Sequence, residues 1–574
     1  MSLYCRIVGR VFVSKFKFRN PTLEAFGGFD SRCLMKRTLP ALLSLAIFFL
    51  ALATLAVHYE TVADAAPAFK GVLTWHNDNE RTGRNPNETT LTLKNVSVNT
   101  FGKLFVLPTD GLVDAEPLYA PNLTVNGGAH NVVFVESENA TVYAFDADNG
   151  SPLWQVTALE ANESASDNRS CGQVTPMIGI TSTPVIDASA GPHGTMYLIA
   201  MSRDSKGNHH QRLHALDVTT GAEQFGGPVD ISAQFPGTGD NSQGGFVIFD
   251  PAQYKERSGL LLLNQTIYTT WGSHCDIRPY TGWLISYDET TLAQKSVLNV
   301  TPNGNEGAIW AAGAGLAADP QGNIYFDDAN GTFDTTLDAN GFPINGDYGN
   351  GIVKVSTKKR KMLVADYFNM FNTVSESNGD QDLGSGGAMV VPNIKDSTGG
   401  VHELVVGAGK DKNIYLADRT NMGKFNPNNN SQIYQELSGA LSGSVFSSPA
   451  FAPGTIYYGS VGDNIKAFTF NSSAMLNSTP QSKTTTSFGY PGATPSISGS
   501  TKKNMILWAS ENANPAVLHA YNANNLAVEL YNSNQAAGGR DHFGNGNKYI
   551  TPMIANGKVY VGTTTGVGVF GLLP

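Results

Sequence analysis

Asp276, Asn330 and Asp382 stand in polar, glycine-rich loops of the 574-residue chain. Two carboxylates and an amide carbonyl form an oxygen set that suits a hard cation such as Ca²⁺. Trp310, in EGAIW, offers a flat apolar face to a ring, and Lys410, in GAGKDKNIYLADRTNMGKF, offers a cation to an anion. Each residue also has an ordinary reading. Asn330-Gly331 is a turn dipeptide. Asp276 and Asp382 then serve as solvated loop acids, Trp310 as a core filler and Lys410 as a surface lysine. Cys171 and Cys275 either pair outside the cytoplasm, closing a loop of about 100 residues, or stay as two buried thiols. The sequence has no H-E-x-x-H, no G-x-S-x-G elbow, no phosphate loop and no C-x-x-C-H haem attachment site.

The elements that must position these residues announce themselves by repetition. VYAFDADNGSPLW (142–154) reads as a strand, a tight turn and the start of a second strand. Weakened copies follow as HALDVTTG (214–221), ISYDETTL (285–292), VKVSTKKR (353–360) and YLADRTNM (415–422). KAFTFNSS (466–473), HAYNANNL (519–526) and GVFGLLP (568–574) complete eight copies. A short apolar segment precedes each copy, and landmarks such as STPVI (182–186), SSPAF (447–451), ATPSI (493–497) and ITPMI (550–554) precede several of those. Each unit thus predicts an inner strand, a second strand, a third strand ending near the Asp, a turn and an outer strand. Eight four-stranded units make an all-β, eight-bladed β-propeller of antiparallel blades. The last unit stops after its third strand, so the unpaired strand FGKLFVLPT (101–109) is expected to supply its outer strand and close the ring. Asp146 and Gly150 then serve a turn, and Trp154 packs between blades. Ligand sites in such a ring are expected at the mouth of the central channel, in loops just before inner strands or just after second strands. Asp276, Trp310, Asn330, Asp382 and Lys410 all fall there.

Residues 39–57 are almost wholly apolar, follow Lys36 and Arg37, and precede Ala63-Asp64-Ala65. That order predicts a secretory signal over 35–66, with an uncleaved anchor as the alternative. Met35 offers a second start, which makes 1–34 an extension. The remainder divides into a lead-in segment, 67–100, and the propeller, 101–574. The first 66 residues hold eight Lys/Arg and four Asp/Glu, leaving 30 and 44 and a net charge of about −14 for the exported part. An acidic surface argues against nucleic acid as a partner.

Ala144-x-Asp146-x-x-Asn149-Gly150-x-x-x-Trp154 resembles the repeat of the pyrroloquinoline-quinone (PQQ) propellers, the quinoprotein alcohol dehydrogenases and their non-enzymatic relatives. The resemblance covers about residues 100–574 and implies more for the loops. Asn330 in ANGTFD matches the family's Ca²⁺-binding Asn, and Asp276 lies in the loop that holds its Glu ligand. Trp310 matches the Trp on which the quinone stacks, Asp382 the catalytic and metal-binding Asp, and Lys410 the Lys that contacts the quinone. The implied chemistry is alcohol oxidation. Ca²⁺ polarises a quinone carbonyl, Asp382 takes the hydroxyl proton, and a hydride passes to the quinone.

The departures are specific. The family's two adjacent cysteines are reduced here to Cys171 in SCGQV; its Glu is replaced by Asp276, one position out of register; and Gln381 stands where a Trp precedes the catalytic Asp. Two functions follow from the sequence. One is an exported PQQ- and Ca²⁺-dependent oxidoreductase of a small-molecule alcohol or sugar, periplasmic or secreted. The other is a non-catalytic propeller that binds a protein or glycan partner or scaffolds the cell envelope. In either, the membrane is engaged only through the N-terminal segment.

Overall fold

The computed structural model describes residues 71–574 apart from 359–360 and 502. The apolar stretch 39–57, the cleavage motif and the second start lie outside the described residues. Among those described, helix is confined to Thr373–Asn378 and short 3-10 turns; the rest of the regular structure is β. No described helix is long and apolar enough to cross a membrane.

The first repeat forms one antiparallel sheet in chain order, Leu118–Val125, Gly128–Glu136, Thr141–Asp146 and Pro152–Thr157. The same four-strand order recurs, for example in Met389–Lys395, Val401–Gly407, Ile414–Asp418 and Gln435–Leu437, and in Ala450–Ala452, Thr455–Tyr458, Asp463–Thr469 and Ser482–Phe488. In the sheet of the C-terminal strands, Gly566–Leu572 pairs antiparallel with Phe101–Pro108. A small three-stranded sheet, Gln234–Pro236, Ser242–Gln243 and Phe246–Ile248, has no counterpart in the repeat.

The turn chemistry of the repeat is visible atom by atom. Asp146 Oδ1 accepts the backbone N–H groups of Asp148 at 2.8 Å and Asn149 at 3.2 Å, and Gly150 takes φ +78°. Asp217 and Asp288 cap their turns in the same way, through Thr219 at 2.8 Å and Thr290 at 3.1 Å. Trp154 donates its indole N–H to the Val218 carbonyl of the next repeat at 3.1 Å, and its ring lies where a side chain on Gly221 would stand.

The second and third strands are buried on both faces because each sheet packs against its neighbours. Thr141–Asp146 is buried throughout. Val142 and Ala144 pack with Met196 and Leu198 of the second repeat, and Ile199 and Leu213 with Ile267 and Trp283 of the third. The pairing continues sheet by sheet until Val133 and Tyr143 meet Tyr560 and Val569 of the last repeat. The lead-in segment touches innermost strands in order. Val72 bonds Tyr119; Leu73 accepts from Ile186; Asn79, Glu80, Thr82 and Gly83 accept from Ala318, Val390, Phe451 and Ile497. Asn85 then donates to Ile554. Arg81, fully buried, donates to the carbonyls of Trp75, Leu260 and Leu316.

Burial also sets a pH dependence. Glu136 ends the second strand of the first sheet with no hydrogen-bond partner for either carboxylate oxygen, and burial pushes its carboxyl up to about 8. Below about pH 4.5 the group is protonated in both folded and unfolded chains. Between there and pH 8 only the unfolded chain releases the proton, so stability falls as pH rises. Glu136→Gln is expected to flatten this fall, by at most about 5 kcal/mol at pH 8. Denaturation midpoints at pH 5 and pH 8 measure it; equal slopes in the two proteins would remove Glu136 as the cause.

Candidate functional site

Loops from several sheets enclose a cavity of about 270 Å³. Its lining includes Asp276, Trp310, Asp382 and Lys410, together with Cys275. Asp276 and Lys410 follow second strands, Thr266–Gly272 and Val401–Gly407. Trp310 and Asp382 precede the innermost strands Ala317–Ala318 and Met389–Lys395, Asp382 at the start of the 3-10 turn Leu383–Ser385. Cys275 and Asp276 take left-handed φ values of 52° and 54°, and Ala311 and Ala312, just after Trp310, of 43° and 48°. Such conformations disfavour side chains with a Cβ and are stored where the surroundings hold them.

Asn330 stands behind the cavity wall and does not line it. Its backbone N–H approaches Asp382 Oδ1 at 3.4 Å, its amide donates to Asp380 Oδ1 at 2.9 Å, and its own Oδ1 is buried without a partner. Lys410 Nζ lies 2.5 Å from Asp380 Oδ1 and 3.2 Å from Asp382 Oδ2. Burial raises the Asp382 carboxyl to about 6 even though Lys410 pulls it down. Burial works against the Lys410 charge, but Asp382 and Asp380 more than offset it and hold the ammonium above its usual range. Asp276 Oδ1 accepts from Ser273 Oγ at 2.9 Å and from Tyr280 OH at 3.0 Å. Among the described residues no three His, Cys, Asp or Glu side chains gather as a metal site.

Trp310 belongs to an aromatic wall. Its ring centroid lies 6.1 Å from both Phe446 and Tyr549, and Tyr490 and Tyr549 share a hydroxyl–hydroxyl bond of 2.7 Å. Opposite in charge to the Asp382 end are Lys255 and Arg257. Arg257 pairs with Asp114 at 3.2 Å and sits 4.5 Å above the Tyr549 ring. Cys171 and Cys275 are disulfide-bonded with Cα atoms 5.6 Å apart, which fixes the loop carrying Gln173 to the one carrying Asp276.

Sequence reasoning missed Asp380, Lys255, Arg257 and the other three aromatics. The signals were present. Asp380 opens the same DQDLGSGG stretch as Asp382, and Phe446, Tyr490 and Tyr549 stand one to three residues before SSPAF, ATPSI and ITPMI. Lys255 and Arg257 occupy the equivalent approach to an inner strand in YKERSG.

No family model matches the chain, and no curated protein does. Solved structures do. A quinohemoprotein alcohol dehydrogenase from Comamonas testosteroni superposes with a TM-score of 0.57 at 13% identity, covering 89% of this chain and 82% of that one. The chain has the fold of the quinohemoprotein alcohol dehydrogenases. A second such enzyme, from Pseudomonas putida HK5, gives a TM-score of 0.56 at 13% identity, over 88% of this chain and 80% of the other. At that identity the likeness to the quinohemoprotein dehydrogenases is one of fold, a quinoprotein-like β-propeller. The cavity is read from its own residues.

Proposed function

We propose that this chain is an exported quinoprotein-type oxidoreductase, a closed propeller of eight blades whose cavity takes PQQ and Ca²⁺ and oxidises a hydroxyl of a small-molecule alcohol or sugar. Three features support eight blades and closure: the eight repeat copies, the apolar clusters that link consecutive sheets through to the last and first, and the lead-in segment's serial bonds. The pairing of Phe101–Pro108 with Gly566–Leu572 is the strand exchange that closure requires. Export rests on the sequence of 35–66.

The observation that carries the chemistry is Asp382, a buried carboxylate facing the cavity with a lysine ammonium at 3.2 Å. The donor set suits the absent groups in chemistry. Asp382 and Asp276 from the lining, and the orphaned Oδ1 of Asn330 behind it, are oxygens that would hold the cation, and Trp310 and Lys410 would hold the quinone. When bound, the pair supplies a two-electron acceptor and a Lewis acid. Asp382 takes the proton from a hydroxyl seated against it, and Lys410 holds that carboxylate in place. The aromatic wall orients a flat ligand and keeps water from its faces.

A second reading rests on the same ion cluster. Lys410 already pairs with both Asp380 and Asp382, so this end of the pocket carries its own counter-charge, as suits a non-catalytic propeller that presents this rim to a protein or glycan. The two readings separate on titrating purified protein with PQQ in the presence of Ca²⁺, following absorbance and dye-coupled alcohol oxidation. Saturable uptake at micromolar PQQ is expected; no uptake there sinks the oxidoreductase reading.

A further inference from the structure

Along the aromatic wall, Lys410 lies 6.0 Å from the Phe446 ring, Trp310 stands between Phe446 and Tyr549, and Arg257 lies 4.5 Å from the Tyr549 ring, so buried cations mark the Tyr549 end of the cavity. Lys255 and Arg257 come from the approach to the third repeat's inner strand and are 5% and 4% exposed, yet both face the cavity. Among the described residues nothing accepts a hydrogen bond from the Lys255 ammonium. Arg257 has Asp114 at 3.2 Å, and Lys548, half-buried, donates to Gln173 Oε1 at 3.1 Å. The other charged and titratable groups that act on Lys255 are Asp114 and Glu138, while His274 feels the lysine in turn. Burial holds the Glu138 and Glu256 carboxyls well above their usual range, which disfavours them as anionic partners for Lys255. A lysine buried without a partner is costly unless a ligand supplies one.

We infer that Lys255, backed by Arg257, forms a carboxylate-binding subsite that anchors one end of the cavity's organic ligand. The ligand class is then an organic anion with a flat or ring-shaped body lying against Trp310, Phe446 and Tyr549, its carboxylate on Lys255 and its far end at Asp382 and Lys410. Two sources present that carboxylate: the quinone, itself a planar tricarboxylate, or an oxidisable substrate such as a sugar acid. The inference rests on the proposed function for the role of the Asp382 end and on geometry alone for the Lys255 end. Burial lowers the Lys255 ammonium to about 7, with Arg257 adding to the effect, as expected of a site that waits for an anion.

The test measures binding, not turnover. Equilibrium dialysis and calorimetry on the full chain compare PQQ with its trimethyl ester, and D-glucuronate with D-glucose, in wild type, Lys255→Met and Lys255→Arg. Melting curves establish that both variants fold; Lys255→Met removes an unpaired buried charge and is expected to melt no lower than wild type. In wild type the acid should bind at least about tenfold tighter than its uncharged analogue. Lys255→Met should erase that gap, and Lys255→Arg should keep most of it. A Lys255-dependent gap for PQQ assigns the carboxylate to the cofactor. A Lys255-dependent gap for glucuronate alone assigns it to the substrate. If PQQ fails to bind but the glucuronate gap persists, the quinone reading falls and the subsite stands. If no acid shows a gap that depends on Lys255, the subsite is refuted.

Discussion

Asp382→Asn is expected to lower alcohol turnover by about 10²–10⁴-fold while leaving PQQ uptake within a few-fold of wild type. The substitution keeps shape and removes the base. The backbone around Asp382 is held independently of its side chain: its carbonyl accepts from the Lys410 N–H at 2.8 Å and from Ser385 Oγ at 3.0 Å. Lys410 keeps its 2.5 Å partner in Asp380, so the cation stays in place when Asp382 loses its charge. Trp310 and the aromatic wall are untouched. Binding and proton removal therefore part company, and stopped-flow reduction of a preloaded enzyme reads the second without the first. Turnover within threefold of wild type would assign the base elsewhere, and Asp276, the other carboxylate that lines both cavity and disulfide loop, is the next to test. A combined loss of uptake and turnover would instead show that holding the cation depends on the charge of Asp382, with no separate role as base.

The fold was legible because its repeat is enforced by turn chemistry and burial together. Asp146, Asp217 and Asp288 cap the same turn, and each precedes an outer strand. In later copies such as VKVSTKKR and KAFTFNSS the Asp is gone, yet Gly351–Ser356 and Asp463–Thr469 still form third strands, because burial between sheets needs only the apolar alternation. The sheet at Gln234–Ile248 was invisible for the opposite reason: its short strands are mostly exposed and carry no repeat signal. At the site, position along the chain was readable and direction was not. The Asn330-Gly331 dipeptide marks a bend after the second strand, but whether the amide enters the cavity or, as here, leans on Asp380 depends on a loop fifty residues on. Lys255 and Arg257 look like surface residues by type. Only the convergence of inner-strand approaches, set by the sheets' mutual packing, turns them inward. Tyr490 and Tyr549 meet for the same reason, across 59 residues of sequence.

Removing the Cys171–Cys275 bridge, by paired serines or by reductant, is expected to destabilise the protein by about 3–5 kcal/mol and to weaken ligand uptake as well. The first effect follows from loop length. The cysteines are 104 residues apart, so the unbridged unfolded chain regains the entropy of a long loop. The second follows from where the bridge is anchored. Cys275 and Asp276 hold left-handed backbone on an exposed loop, where few packing contacts fix it apart from the bridge, and the partner loop brings Gln173 to the same cavity. Arg169, two residues before Cys171, donates to the Ala252 carbonyl at 2.9 Å, so that loop keeps one tether to the stretch leading into Lys255 when the bridge is cut. The expected result is therefore graded: a denaturant midpoint that falls, with a slope that rises as the unbridged unfolded chain exposes more surface, and a cavity that still forms but binds PQQ less tightly. A midpoint unmoved by reductant would mean that the bridge constrains nothing the native contacts do not already fix. A lowered midpoint with unaltered binding would confine its role to the unfolded chain and free Asp276 from dependence on it. Because the serine pair and the reductant act on the same bond by different routes, agreement between them excludes a packing defect introduced by the substitutions.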